Sequence, residues 1–202
     1  MKTFFSAALL GAALMVSGAV NAAVLSTTGN IVQIMTPTLV NNAAPNSNAN
    51  MLMFNEVQNA VLHTAVTTSN GIIAAGTRVS SYMVLLNHVK ASDRTVLNLS
   101  GTATFDSAIL GLITTVADLN ASDAILGAVG TTYATFNMRG LEDLEAVSYL
   151  GDTATLTLNV TQPGDWMRIV TISTVPVPAA GFLLFGALGG LAALRRRKSL
   201  AA

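Results

Sequence analysis

The 202-residue sequence contains no cysteine, two histidines, 5% aromatic residues and 10% charged residues. Without cysteine the chain can form neither a disulfide nor a thiolate metal site. The histidines, His63 and His88, lie far apart in the sequence and fit no local metal or catalytic motif, so we interpret them as unrelated imidazoles. No HExxH, GxSxG, P-loop or GxGxxG motif occurs. We therefore predict that the protein is not an enzyme and has no cofactor.

Charge is distributed unevenly along the chain, although the formal net charge is zero. All ten carboxylates lie between Ala23 and Thr174, whereas only five of the ten cations do, which leaves this stretch with a net charge of −5. A mildly acidic domain lacks the basic surface that binds phosphates. The composition therefore predicts no nucleic-acid partner.

The N-terminal residues have the pattern of a secretory signal peptide. Lys2 precedes an apolar run from Phe4 to Val16, and small residues follow up to Ala22. Signal peptidase requires small side chains before its cleavage site, so we predict a signal peptide at residues 1–22, cleaved after Ala22, with Ala23 as the next-best site. The alternative, an uncleaved anchor, is disfavoured because the apolar run is short for a membrane span.

The C-terminal residues combine three features in a fixed order. The first is a segment with two prolines, which favour an extended backbone that a protease can bind: Val175, Pro176, Val177, Pro178 and Ala179. The second is an apolar run at 179–194, about 24 Å long as a helix and therefore a marginal span of a hydrocarbon core about 30 Å thick. The third is a stop-transfer cluster on the cytoplasmic side: Arg195, Arg196, Arg197 and Lys198.

This order of proline motif, weak span and basic cluster resembles the PEP-CTERM sorting signal, in its variant reading Val-Pro-Leu-Pro-Ala. The resemblance implies that residues 175–202 are recognised by an exosortase, a membrane processing enzyme of Gram-negative bacteria associated with exopolysaccharide production. It also implies transient anchoring in the inner membrane. A plain tail anchor is the alternative. Blocks such as FNEVQN and QPGDWMRIVT also resemble an uncharacterised exported domain found before such tails.

The stretch at 23–174 is predicted to fold as a single mainly β domain, an antiparallel β-sandwich or jelly roll. Four segments are rich in Val, Thr, Leu and Ile: Met51 to Leu62, Gly76 to Asn87, Thr95 to Leu112 and Thr153 to Thr174. The last of these is predicted to form a hairpin, with Thr153–Val160 paired to Trp166–Ile172 through a turn at Gln162–Asp165. Residues 41–50, rich in Asn, are predicted to form an exposed loop.

Helix is predicted to be scarce. Ser122 to Gly127 has a possible N-cap and a terminal glycine so close together that it allows one turn at best. The segment containing Leu141, Leu144 and Tyr149 fits either a short amphipathic helix or a loop.

Two groups of residues are candidates for a site. Glu56 and Arg168 are single charges in apolar segments, so we predict a salt bridge between them; the alternative is a polar ligand site beside Trp166, whose ring could stack on a sugar. The second group is acidic and is either a calcium site or a solvated face: Glu142, Asp143, Glu145 and Asp152.

Taken together, these features predict an exported, non-enzymatic protein of the cell surface or extracellular matrix. Its expected partners are signal peptidase, an exosortase-like enzyme, the inner membrane and exopolysaccharide. The first alternative is a carbohydrate-binding module with a face near Trp166 and Tyr82 or Tyr133. A secreted hydrolase is the least favoured alternative, because no local catalytic motif is present.

Overall fold

The computed structural model describes residues 23–90, 92–142, 144–161 and 163–173, which belong to a single compact unit. Strands dominate these residues, as the sequence predicted. The elements, in chain order, are β1 (Val24–Gly29), β2 (Ile31–Gln33), β3 (Leu39–Val40), β4 (Met51–Asn55), β5 (Ala60–Val61), β6 (Val66–Thr68), β7 (Gly71–Ile73), β8 (Arg78–Leu86), β9 (Leu97–Phe105), β10 (Ile109–Ile113), α1 (Val116–Leu126), β11 (Thr132–Tyr133), β12 (Ala146–Leu150), β13 (Thr153–Val160) and β14 (Asp165–Ile172).

The central layer is a sheet with the strand order β10-β14-β8-β4-β2, in which β5 also pairs with β8. Most of its pairs are antiparallel, but β2 and β4 are parallel. Nearly every residue of β8 and β14 is buried, because both faces of this sheet are covered. Strands buried on both faces are continuous apolar runs in sequence, which explains the lack of alternation in SYMVLL and WMRIV.

A second sheet, β1-β9-β13-β12, covers one face of the central sheet. The first hydrophobic core lies between the two sheets and includes Met53, Tyr82, Phe105, Leu156 and Ile169. In β13 buried residues alternate with half-buried or exposed threonine and asparagine, the pattern predicted for a half-buried strand. The two sheets therefore form the β-sandwich.

A third layer covers the opposite face of the central sheet. It consists of α1, the hairpin β6-β7 and the parallel pair β3-β11. These elements enclose a second hydrophobic core, to which α1 contributes Leu119 and Leu126 and the central sheet contributes Phe54, Met83 and Trp166. The fold is thus a mainly β sandwich with an additional layer, which the sequence did not predict.

The helix α1 is longer than the single turn predicted at Ser122 to Gly127. It begins after the N-cap residue Thr115, whose hydroxyl accepts a hydrogen bond from the backbone N–H of Asp118 at 3.1 Å and donates one to the Asp118 carboxylate at 2.7 Å. It ends at Gly127. The predicted start at Ser122 was wrong because the true N-cap, Thr115, lies about two turns upstream.

The predicted hairpin of Thr153–Val160 with Trp166–Ile172 is also wrong. The strand β13 pairs with β9 and β12 in the outer sheet, whereas β14 pairs with β8 and β10 in the central sheet. The connection between them crosses from one sheet to the other. Its Gly164 approaches β8 closely: a Cβ atom there would lie 2.4 Å from the Leu86 carbonyl oxygen and 1.9 Å from Asn87 Oδ1.

The segment containing Leu141, Leu144 and Tyr149 forms a loop followed by β12, so the helical interpretation of it is wrong. Residues 41–50 contain no strand or helix, and one isolated bridge joins Asn41 to Ala44. Among the described residues, no helix is both long enough and apolar enough to cross a membrane. The predicted signal peptide with Ala22 and the sorting signal at 175–202 lie outside the described residues.

Candidate functional site

Strand β14 carries two charged residues that belong to different clusters. Asp165 and Arg168 are separated by an odd number of positions, so their side chains lie on opposite faces of the central sheet. Asp165 shares a face with Met167 and Ile169 of the first core, and Arg168 shares one with Trp166 and Val170 of the second core. Both residues are almost completely buried.

The first cluster surrounds Arg168. Its Nε donates to Oε2 of Glu56 at 2.5 Å and its Nη2 donates to Oε1 of the same carboxylate at 2.7 Å. Both side chains have 0% exposure. The predicted salt bridge is therefore present as a bidentate pair, and it joins the residue after β4 to β14 across the intervening strand β8.

The helix α1 completes this cluster. Arg168 donates from Nη1 to Ser122 Oγ at 2.5 Å and from Nη2 to Asp123 Oδ1 at 3.1 Å. Arg139 makes a second bidentate pair with Asp123, with both distances at 2.8 Å. Two arginines and two carboxylates thus neutralise each other inside the second core, which is the condition for burying charge at an acceptable cost.

Tyr133 links the cluster to the backbone. Its hydroxyl donates to Glu56 Oε1 at 2.8 Å and accepts from the backbone N–H of Ala128 at 2.9 Å. Burial, followed by the charge of Glu56, raises the pKa of Tyr133 above its usual range. Burial alone would lower the pKa of Arg168, but Glu56 and Asp123 raise it, and the net shift is upward. These shifts keep Tyr133 neutral and Arg168 charged near neutral pH.

Trp166 is buried and is not available to a ligand. Its Nε1 donates to Asn87 Oδ1 at 3.1 Å, Phe136 packs against its ring edge-on at 5.1 Å, and the Arg139 guanidinium lies 5.0 Å from the ring centre. Tyr82 is also 0% exposed. A sugar-stacking surface at Trp166 and Tyr82, and the polar ligand site beside Trp166, are therefore wrong, because these rings lie inside the two cores.

The second cluster consists of Glu142, Glu145 and Asp165. One carboxylate oxygen from each lies within 4.8 Å of the others. Asp152, which was predicted to group with Glu142 and Glu145, lies at the opposite end of β12 and does not join them. Asp143 lies outside the described residues. The predicted acidic group is therefore corrected: Asp165 takes the place of Asp152.

The carboxylates of this cluster line a cavity of about 300 Å³. It is formed by the loop before β12, the end of β13 and the segment that leads into β14. Its other lining residues are Val96, Met138, Leu144, Asn159, Thr161 and Pro163. Burial, followed by the charges of Glu142 and Glu145, raises the pKa of Asp165 to about 9. Burial and Glu145 also raise the pKa of Glu142. Burial and neighbouring carboxylates thus raise the pKa of both groups, and no described cation forms a salt bridge with them.

The histidines contribute to neither cluster. His63 is exposed, whereas His88 is buried with Nδ1 3.8 Å from the Asp93 carboxylate. Among the described residues, the group with metal-ligand spacing contains neither of them. No protein-family model, curated protein or solved structure matches this chain, so both clusters are interpreted from their own geometry.

Proposed function

We propose that this chain is an exported, non-enzymatic protein of the cell surface or extracellular matrix, sorted by its C-terminal residues. The observation that carries the proposal is the order of the proline motif, the apolar run at 179–194 and the basic cluster that begins at Arg195. The span is weak, the cations oppose its transfer, and the prolines keep the junction extended. Such a segment holds the chain in the inner membrane until an exosortase-like enzyme processes it near Val175 to Ala180.

Two properties of the folded domain agree with this role. It has no cysteine, so its stability does not depend on the redox state of its compartment. Its buried arginines are paired with carboxylates inside a closed core, so the Arg168 cluster serves to fasten β4, α1 and β14 together. A domain of this kind is a stable folded unit that can be exported. Its partners would contact its surface and not the buried Arg168 cluster.

The experiment compares cells with and without the exosortase-like enzyme. We expect the domain to be shorter and released in the first strain, and to remain in the inner membrane with its full tail in the second, as measured by intact mass and cell fractionation. Replacing Pro176 and Pro178 by Ala should reproduce the second result in the first strain. A full-length tail that persists equally in both strains would show that the chain is an ordinary tail-anchored protein.

A second candidate function is binding of polysaccharide by the outer face of the sheet β1-β9-β13-β12. Hydroxyl groups form cross-strand rows there: Thr28 is 2.7 Å from Thr102, and Ser100 is 3.0 Å from Thr157. Thr155 stands opposite Thr102 in the same row. Rows of hydroxyls can exchange hydrogen bonds with the hydroxyls of a sugar chain without an aromatic platform.

Replacement of Thr102 and Thr155 by Val removes the hydroxyls and keeps the side-chain shape. If the face binds polysaccharide, this variant should lose co-sedimentation with exopolysaccharide from the producing cells. Thr67→Val, on the exposed side of the hairpin β6-β7, is the matched control. Equal co-sedimentation of all three proteins would exclude this function for the sheet.

A further inference from the structure

The cavity bounded by Glu142, Glu145 and Asp165 brings three carboxyl groups together, and no cation among the residues that the structure describes forms a salt bridge with them. Asp165 is 4% exposed, and its Oδ2 is buried with no hydrogen-bond donor. Asn159 Oδ1, which lines the same cavity, is also buried without a donor. Buried oxygens are almost always satisfied in native proteins, so these two oxygens require an electropositive partner, which is either a proton shared between the carboxyl groups or a cation.

The spacing of the carboxylates defines the size of that partner. Oxygens bound to one calcium ion lie about 2.3 to 2.6 Å from it, so any two of them are at most about 5 Å apart. The three carboxylate oxygens here all lie within 4.8 Å of one another. They can therefore contact one ion with small side-chain adjustments, and the cavity of about 300 Å³ leaves room for water to complete the coordination.

The chemistry of the donors selects the ion. The cavity offers oxygen ligands from three carboxylates and from the Asn159 amide oxygen, and no histidine or cysteine is among the described lining residues. Oxygen donors favour calcium and magnesium over zinc. Magnesium requires nearly ideal octahedral geometry, whereas calcium accepts irregular sets of six to eight oxygens, which suits ligands from a loop, β13 and the start of β14.

We propose that Glu142, Glu145 and Asp165, together with the amide oxygen of Asn159, bind a calcium ion. The ion would take the place of a proton on the Asp165 carboxylate at the start of β14 and would join three parts of the chain: the loop before β12, the end of β13 and the beginning of β14. Within the loop, Glu142 and Glu145 are already linked, because Glu145 Oε2 accepts a hydrogen bond from the backbone N–H of Glu142 at 2.8 Å. The proposal concerns the folded domain and is independent of how the protein is sorted.

The affinity expected is that of an extracellular calcium module. Sites of this kind have dissociation constants of about 10⁻⁴ to 10⁻³ M, which matches millimolar calcium outside cells. Isothermal titration calorimetry of the purified full-length chain in detergent with calcium chloride should give one site per chain in this range. Magnesium chloride should give at least tenfold weaker binding. A chain that binds no calcium at millimolar concentration, or binds magnesium equally well, would overturn the proposal.

Two variants test the location of the site, and a third variant serves as a control. Asp165→Asn and Glu145→Gln each remove one charge with little change in volume, and each should weaken calcium binding at least tenfold. Glu145 is only half-buried, so Glu145→Gln tests the site even if Asp165→Asn fails to fold. Asp152→Asn removes an exposed carboxylate at the other end of β12 and should bind calcium like the wild type. Unchanged binding by Glu145→Gln, or loss of binding by Asp152→Asn, would place the calcium ion elsewhere and overturn the assignment.

Discussion

The two charged clusters that include residues of β14 differ in charge balance. Around Arg168, every buried charge has a partner of opposite sign at hydrogen-bond distance. Around Asp165, three carboxylates lie together and no described cation pairs with them. Both clusters include a residue of the same strand, and they lie on opposite faces of the central sheet. Burial alone therefore does not distinguish a structural charge from a candidate site, whereas the presence or absence of a compensating charge does.

The difference also determines how each cluster responds to substitution. Removal of a charge from a balanced cluster leaves another charge buried and uncompensated, which destabilises the fold. Removal of a charge from a cluster of like charges relieves repulsion, which stabilises the fold when no metal is present. The free energy of unfolding should therefore change in opposite directions for Arg168 and Asp165 variants. Fluorescence of the single, buried Trp166 during urea unfolding provides the measurement.

The largest effect is expected for Arg168→Ala. It leaves Glu56 without its bidentate partner and removes one of two arginines from Asp123, so the free energy of unfolding should fall by about 3 to 5 kcal/mol. The exposed Arg94 provides the control, because its replacement by Ala should change the value by less than about 0.5 kcal/mol. Equal losses for the two variants would contradict the structural role of the Arg168 cluster.

A smaller loss is expected for Arg139→Ala. This change removes both hydrogen bonds to Asp123 and the packing against Trp166, but Asp123 keeps Arg168 as a partner and is 16% exposed. The loss should be about 1.5 to 3 kcal/mol, the usual range for hydrogen bonds to a charged group. If Arg139→Ala lowers the free energy of unfolding as much as Arg168→Ala does, then the pairing of Asp123, and not that of Glu56, contributes most to the stability of this cluster.

Asp165→Asn should change stability in the opposite direction. Without calcium, the variant removes a buried carboxyl group whose ionisation is opposed by burial and by the two glutamates, and it supplies an amide that can donate to Glu142 or Glu145. The free energy of unfolding near neutral pH should therefore rise by about 1 to 2 kcal/mol. With millimolar calcium, the wild type should gain stability and the variant should not. Asp152→Asn should change neither value by more than about 0.5 kcal/mol. A destabilised Asp165→Asn in calcium-free buffer would show that Asp165 has a favourable partner.

The strands and the balanced pair were largely predictable from sequence, for a physical reason. The alternation of Leu156, Leu158 and Val160 with polar residues indicates a half-buried strand, and β13 is one. Single charges in apolar segments, such as Glu56 and Arg168, require each other because an unpaired buried charge is costly. Both inferences depend on a local pattern and on one general energetic rule.

The members of the clusters that come from irregular segments were not predictable in the same way. The helix α1, which carries Ser122 and Asp123, has a weak apolar face, so periodicity did not reveal it. Thr115 followed by Asp118 resembles a capping box and was the available signal. Asp165 was interpreted as a turn residue because it follows Pro163 and Gly164. Its position beside Glu142 depends on the crossing of the chain between the sheets, which no local pattern in the sequence indicates.

The smallest expected effect is a dependence of stability on pH that arises at the Asp165 cluster. The folded pKa of Asp165 is about 9, well above its ordinary value near 4, and the charged groups lining the same cavity among the described residues are Glu142 and Glu145. Between these two pH values the folded state binds more protons than the unfolded state, so the free energy of unfolding must fall as pH rises. One proton limits the slope to about 1.4 kcal/mol per pH unit, and we expect up to about 1 kcal/mol per unit between pH 6 and 8 in calcium-free buffer.

The same slope should shrink in Asp165→Asn, and also in the wild type with calcium, because a bound ion replaces the proton as the compensating charge. Arg168→Ala should lower the whole curve without changing this difference, since its cluster lies on the other face of the sheet. A wild-type slope that calcium and Asp165→Asn both leave unchanged would mean that the proton is bound elsewhere.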